Sequence, residues 1–414
     1  MNKYREITGQ LNYWLFLAVV FLLPYPQICV RYACVLWIVS WLFEGRWLSC
    51  PRSLKQNKMA IPFLLFGLWY AWKVLSGLWA PDYDAWAWQM ERYLTFALII
   101  PVGIWGVNQR YDWQQIGRVL VLGCTTAVLF YCILMPVLYC YPDLVPRLHI
   151  SSEWNYDIQN KMTFFSDNLS HIKHRLFLCS IEMFGIILAF RTLRQHKVWL
   201  IVSVFIMIAG ILLTGSRQSI LTGAALLAIA LVYALPPRYR LRYGVGILLL
   251  GIVLGGGLLM LHPRMRAFNF EAITEMREIS YTHDIRFNIW GLAVQTPEDY
   301  LAHGVGAGQS THYMLSKYEQ YQLDYYIKKH YHPHNQYLEE LIEGGIPGLA
   351  LLLLAWLSIP FCAAGKHQKN AVYFTTLFMI NMLTDCMFGK FCGIALWSVG
   401  LLIILLQSDP QRKE

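Results

Sequence analysis

Apolar residues fall in blocks along this chain, and polar residues are largely confined to the gaps between them. The blocks lie near residues 13–28, 29–43, 61–79, 92–107, 116–139, 175–190, 198–213, 218–235, 244–261, 345–363, 371–388 and 391–407. Many approach the ~20 residues with which a helix crosses a hydrocarbon core of roughly 30 Å. Continuous apolar runs lack the alternation of a membrane barrel strand. Lipid offers no partner to an open backbone N–H or C=O, so these runs must close their own hydrogen bonds as helices. The pattern predicts an all-α fold, a polytopic membrane bundle of about twelve transmembrane helices. Its first two spans are joined by a tight turn at Pro24–Tyr25–Pro26.

Charge orients the bundle. Of 414 residues, 57% are hydrophobic and 14% charged, well below the roughly 25% charge of a soluble domain. Alternate short loops collect the cations: Arg46, Arg52, Lys55 and Lys58, then Arg110, then Arg191, Arg194 and Lys197, then Arg238, Arg240 and Arg242, then Lys366 and Lys369. The intervening short loops hold Asp82 and Asp84 but few cations. This is the positive-inside distribution, with a cytoplasmic N-terminus. The net charge of +9 is therefore a topology signal, and no nucleic-acid partner is called for. The basic start of the chain leads into an apolar run without a small-residue cleavage site, which reads as an uncleaved first helix rather than a removed signal peptide. The ten cysteines are scattered, without metal-type pairs, as buried thiols are.

Two outer segments are too long and too polar to be turns. The first, 141–174, carries Trp154, Asn155, Asp157, Lys161, Asp167 and Asn168. The second, 262–344, carries His283, Asp284, Arg286, His303, His312, Lys328, Lys329, His330, His332 and His334. Long connections of this kind are usually functional. The expected organisation is helices 1–9 over residues 1–261, a helical periplasmic catalytic segment over 262–344, and helices 10–12 with a short cytoplasmic tail over 345–414.

Within the second segment, Asp284 to Gln295 has helical spacing, with Ile285, Ile289 and Leu292 on one face and Arg286 with Trp290 on another. Thr296–Pro297 stops it, and Gly304, Gly306 and Gly308 follow as a stretch suited to close backbone approach, for instance to a substrate. Downstream, His332–Pro333–His334–Asn335 leads to Gly344–Gly345, which predicts a short helix opening at His334. A helix N-terminus attracts anions and disfavours a protonated imidazole, leaving His334 neutral and available as a base. In the turn Thr214–Gly215–Ser216–Arg217, an outer arginine runs against the positive-inside bias; it either snorkels to headgroups or serves a site. A metal bound by His330, His332 and His334 is disfavoured, because Pro333 breaks the alternation that would align them.

These residues resemble the O-antigen ligase and O-antigen polymerase superfamily of bacterial membrane glycan transferases. The Thr214–Arg217 turn, the Asp284–Trp290 stretch with Pro297 and the three glycines, and the His334–Asn335 helix ending in Gly344–Gly345–Ile346–Pro347–Gly348 carry the resemblance in that order. Leu75–Ser76–Gly77–Leu78–Trp79 before an outer loop agrees with it. The resemblance implies transfer of a glycan from undecaprenyl diphosphate to an acceptor hydroxyl, with lipid A–core as the expected acceptor, at the periplasmic face of the inner membrane. It implies His334 as general base and Arg217 and Arg286 as holders of the diphosphate. His332, Asn335 and Trp290 complete the expected substrate-binding set, and no cofactor, nucleotide or metal is implied. The expected partners are the lipid-linked donor, the glycolipid acceptor and membrane lipids. A polysaccharide polymerase shares this donor chemistry and stays open, as does transfer to protein hydroxyls. A polysaccharide transporter is the rival from another class, motivated by Lys73, Glu182 and Asp385 in or beside spans, but no inverted repeat accompanies them.

Overall fold

The computed structural model describes residues 2–48, 58–147, 168–169, 172–261, 285–363 and 368–409. His283, Asp284, Trp154, Asn155, Asp157, Lys161 and Asp167, named above, lie outside the described residues. Among the described residues every regular element is helical. In chain order the α-helices are α1 Asn2–Leu22, α2 Gln27–Glu44, α3 Ala60–Leu75, α4 Tyr83–Trp105, α5 Trp113–Cys140, the short α6 Leu144–Arg147, α7 Arg175–Thr192, α8 Lys197–Thr214, α9 Arg217–Ala234, α10 Pro237–Leu261, α11 Ile285–Ala293, α12 Ser310–Gln320, α13 Asp324–Lys329, α14 Gln336–Cys362, α15 Gln368–Met382 and α16 Phe391–Ser408.

Among the described residues, seven helical stretches are long and apolar enough to cross a membrane: α2, Ala60–Leu78, α5, α8, α9, α14 and α16. The other five expected spans coincide with α1, α4, α7, α10 and α15, which are shorter or carry more polar positions. The chain is a multi-pass membrane protein. Helix α1 reaches back to Asn2 and stops at Leu22, so the turn at Pro24–Pro26 falls between α1 and α2 rather than inside a span. Proline explains this stop, since it cannot supply the N–H that would extend the helix.

Aromatic side chains fill the bundle core. Phe66, Phe96, Trp356, Phe388 and Trp397 are fully buried and pack at ring-centroid distances of 4.6–6.4 Å, the range of edge-to-face and offset contacts. A second apolar cluster lies in the segment between α10 and α14. There Ile289, Leu292, Tyr300, Met314, Tyr318 and Tyr326 pack with Leu338 and Ile342 from the start of α14. This lobe has its own core, yet shares the first turns of α14 with the bundle.

The joint between lobe and bundle is polar and buried. Lys73 on α3 lies 2.9 Å from Glu340 and 3.0 Å from Glu343 on α14, and all three side chains are at most 1% exposed. Ser310 donates to Glu343 (2.8 Å), the Trp72 indole to the Gly344 carbonyl (2.8 Å), and the Ala307 N–H to Ser76 Oγ (2.9 Å). A buried charge is tolerated when paired and hydrogen-bonded, which accounts for Lys73 without a transport role.

Helix α14 is broken at Gly345, where φ is +64° and ψ is −165°. The glycine pair thus ends one helix and starts the membrane-crossing one, as its sequence suggested. Residues 301–306 fill the break: Val305 and Gly306 donate to the Ile342 and Glu343 carbonyls, and Ile346 donates to Leu301. Gly304 has φ +78°, and a Cβ there would lie 2.3 Å from the Glu343 backbone. The glycine-rich stretch therefore makes its close approach to the protein's own helix rather than to a substrate.

Candidate functional site

Asn335 sets the local geometry of the histidine loop. Its side-chain oxygen accepts from the N–H groups of Tyr337 (3.0 Å) and Leu338 (3.1 Å), so Asn335 is the N-cap and α14 begins at Gln336. His334 precedes the cap with φ +49°. The helix does not open at His334, because the capping asparagine takes the role assigned to Pro333. Left-handed backbone at a non-glycine residue costs roughly 1–2 kcal/mol, and it turns the imidazole out of the helix line.

His334 faces a cavity of about 320 Å³. One wall comes from the bundle: His174, Arg175 and Leu176 at the start of α7, Gly215, Ser216, Arg217 and Gln218 at the start of α9, and Thr384 with Asp385 after α15. The other comes from the lobe: Ile285, Arg286, Tyr331 and His334. Two helix N-termini thus converge on one space with three guanidinium groups. N-terminal N–H groups and arginine forks both favour anions, and phosphate oxygens above all. At the start of α9, Gly215 adopts φ +59° to end α8, and Ser216 caps the next helix through Ser219 N–H at 3.4 Å. That local chemistry fixes where Arg217 leaves the backbone.

Asp385 sits between two imidazoles, its Oδ2 3.7 Å from His174 Nε2 and its Oδ1 4.0 Å from His334 Nδ1. The carboxylate is 8% exposed against 26% for His334. Burial pushes His334 down to about 4; Asp385 opposes this, while Arg286, Lys390 and His174 reinforce it. Burial likewise lowers His174 to about 4, aided chiefly by Lys390 and opposed by Asp385. His332 falls to about 3, through burial first and then the neighbouring His334. Burial alone would raise Asp385, but His174, Lys390, His332 and His334 outweigh it and hold the carboxyl below its usual range. At neutral pH the site therefore holds neutral imidazoles around an ionised carboxylate. The neutral His334 expected from the helix dipole is present, with desolvation as its main cause.

The remaining predicted residues stand behind the cavity. His332 stacks on His334 with ring centroids 3.9 Å apart, and its Nδ1 accepts from the His334 N–H at 3.2 Å. Trp290 donates from its indole to the Pro333 carbonyl at 2.8 Å, tying α11 to the histidine loop. Asn335 is occupied as the cap. So Arg217, Arg286 and His334 come together on the cavity, while His332, Asn335 and Trp290 hold the loop that presents His334. Sequence reasoning missed His174 and Arg175, which closed a segment read only as a long loop. It noticed Asp385, but as an ionisable residue in a span. A His–Arg pair at the start of an apolar helix was the available signal.

His332, His334 and Asp385 each offer one ligand atom within 4.8 Å of the others. His330, at the C-cap of α13, is not part of that group. The group is a poor fit to a divalent cation: His332 Nδ1 already accepts the His334 N–H at 3.2 Å, which leaves that nitrogen's lone pair engaged. Lys390 also acts on both histidines, and Arg286 on His334, adding positive charge where a cation would sit.

No curated protein matches the sequence as a whole or in part. Residues 202–353, which contain Arg217, Arg286 and His334 but not His174, Arg175 or Asp385, match the protein family described as O-antigen ligase. That region, a minority of the chain, is similar to the O-antigen ligase family, and together with the membrane helices the match supports placement in the O-antigen ligase and O-antigen polymerase superfamily, whose members act on lipid-linked glycans.

Proposed function

We propose that the protein transfers a glycan from undecaprenyl diphosphate to an acceptor hydroxyl, with lipid A–core as the acceptor, on the periplasmic face of the bacterial inner membrane. The observation that carries this reading is the convergence of Arg175, Arg217 and Arg286 with a neutral His334 around one cavity. The cavity opens at the ends of α7 and α15 opposite those that carry Arg191 and Lys369, and at the start of α9, whose other end leads to Arg240 at the start of α10, so the positive-inside rule favours a periplasmic site.

The chemistry follows from the charges. The acceptor O–H gives its proton to His334 Nε2, the nitrogen turned away from Asp385. Its oxygen forms the new bond to the anomeric carbon. The bond from that carbon to the diphosphate oxygen breaks, and its electron pair leaves with the diphosphate. Guanidinium forks hold the added negative charge in place of a proton. Asp385, 4.0 Å from His334 Nδ1, stabilises by its charge the imidazolium that forms, as a carboxylate does beside a catalytic histidine.

The test is transfer by purified protein with a polyprenyl-diphosphate glycan, in EDTA, with lipid A–core or a second lipid-linked glycan as acceptor. Product on lipid A–core supports the ligase. Elongated lipid-linked glycan supports the polymerase in its place. No product with either, from a protein that stays folded, contradicts the transferase reading, and a need for one added divalent ion contradicts the metal-free chemistry.

A further inference from the structure

The cavity has two unlike walls, and a lipid-linked glycan has the matching order of parts. The bundle wall is made of helix N-termini with Arg175 and Arg217; the lobe wall adds Tyr331 beside His334 and Arg286. Among the described residues that line the cavity, Tyr331 is the one phenol ring. Its centroid lies 6.1 Å from that of His334. Other tyrosines hold it there: Tyr318 donates to the Tyr331 carbonyl at 3.1 Å, Tyr326 packs edge-on at 5.8 Å, and Tyr331 donates to the Tyr325 hydroxyl at 3.4 Å.

We propose that Tyr331 forms the wall of a sugar subsite, stacking on the donor sugar bonded directly to the diphosphate. This deepens the transferase reading and rests on it. A polyprenyl chain stays with the bundle and its diphosphate sits at the arginine-bearing helix ends, so the first sugar lies toward the lobe. A general base must reach a hydroxyl attacking the anomeric carbon of that sugar, which puts the sugar ring next to His334 and hence next to Tyr331. A pyranose presents an apolar C–H face between its hydroxyls, and tyrosine matches it with a rigid ring and a polar rim. Ordering the ring before binding lowers the entropy cost of contact.

Binding of two lipids separates this role from a structural one. Wild type, Tyr331→Leu and Tyr331→Phe are compared on polyprenyl diphosphate without sugar and on the glycan-linked donor. Tyr331→Leu should bind the bare carrier as wild type does and the glycan-linked donor roughly three- to tenfold more weakly, the scale of one aromatic contact. Tyr331→Phe should bind both nearly normally. Equal loss for both lipids would make Tyr331 a support of the lobe, and unchanged binding of both would remove it from the subsite. A loss confined to acceptor KM would move the sugar to the acceptor side; each of these three outcomes overturns the proposal. Failure of wild type to bind either lipid would instead strike the transferase reading.

Discussion

His334 turns Nδ1 toward Asp385, with 4.0 Å between that nitrogen and the carboxylate Oδ1. The two residues come from different parts of the chain, one from the loop before α14 and the other from the turn after α15. The carboxylate raises the basicity of His334, while Lys390 lowers it. Opposite substitutions should therefore move activity in opposite directions along the pH axis.

In wild type, turnover should stay level from neutral pH down to about pH 5 and fall with a limb near 4, the value to which burial lowers His334. Asp385→Asn should shift that limb to lower pH and, by loosening the base, cut turnover by roughly a hundredfold or more. Lys390→Ala should shift it upward with a smaller loss. Rate profiles over pH 3.5–8 (about that range suffices) make the comparison. A limb that stays put in both variants would detach Asp385 and Lys390 from the base.

The same shifts predict how stability depends on pH. The folded values of His174 and His334, about 4, lie below the ordinary histidine value of 6.5. On acidification the unfolded chain takes up protons first, so stability is full above 6.5 and is lost as pH falls toward 4. Asp385 acts in the same sense but at lower pH, below its ordinary value of 3.8. The melting temperature in detergent should thus drop between pH 6.5 and 4, and His174→Gln should reduce the drop. An unchanged drop in that variant would assign the loss to other groups.

Each arginine of the cavity should tolerate lysine poorly. Lysine keeps the charge but not the planar fork, and a hydrogen bond to a charged group is worth about 1.5–3 kcal/mol. Arg175→Lys, Arg217→Lys and Arg286→Lys should each weaken donor binding by roughly ten- to a hundredfold. A residue that merely snorkels to headgroups would accept lysine with little change. Titrating each variant with donor lipid separates the cases one residue at a time.

Lys73 should matter for folding rather than for chemistry. It pairs with Glu340 and Glu343 inside the joint between bundle and lobe. Removing one member of a buried pair strands the other charges, at a cost of roughly 3–5 kcal/mol. Lys73→Met should lower the melting temperature markedly, and adding Glu340→Gln and Glu343→Gln should restore part of it. A variant that melts normally yet is inactive would place Lys73 in the chemistry instead.

The helices were legible because each span is a local apolar pattern: every expected span overlaps a helix, though the blocks at 13–28 and 371–388 also take in the turns after α1 and α15. Arg217, Arg286 and His334 were legible through short motifs around them. His174, Arg175 and Asp385 were not, because they join the cavity only where the starts of α7 and α9 meet the end of α15, and His174 and Asp385 are far apart in sequence. The helix start at Gln336 was misplaced by one proline rule, where the asparagine beside it makes the stronger cap. The glycine run makes close approaches as expected, but to the protein itself, Gly304 to α14 and Gly306 and Gly308 to Ala80 and Ala85, and sequence carries no sign of which surface a tight turn will meet.

The central claim is that His334 takes the proton of the acceptor hydroxyl, and single-turnover transfer by His334→Ala tests it most directly. Donor binding is measured on the same preparation. The account predicts donor affinity near wild type with transfer reduced by roughly a hundred- to ten-thousandfold, the usual contribution of a general base. Transfer at close to the wild-type rate in folded, donor-binding His334→Ala protein would contradict it.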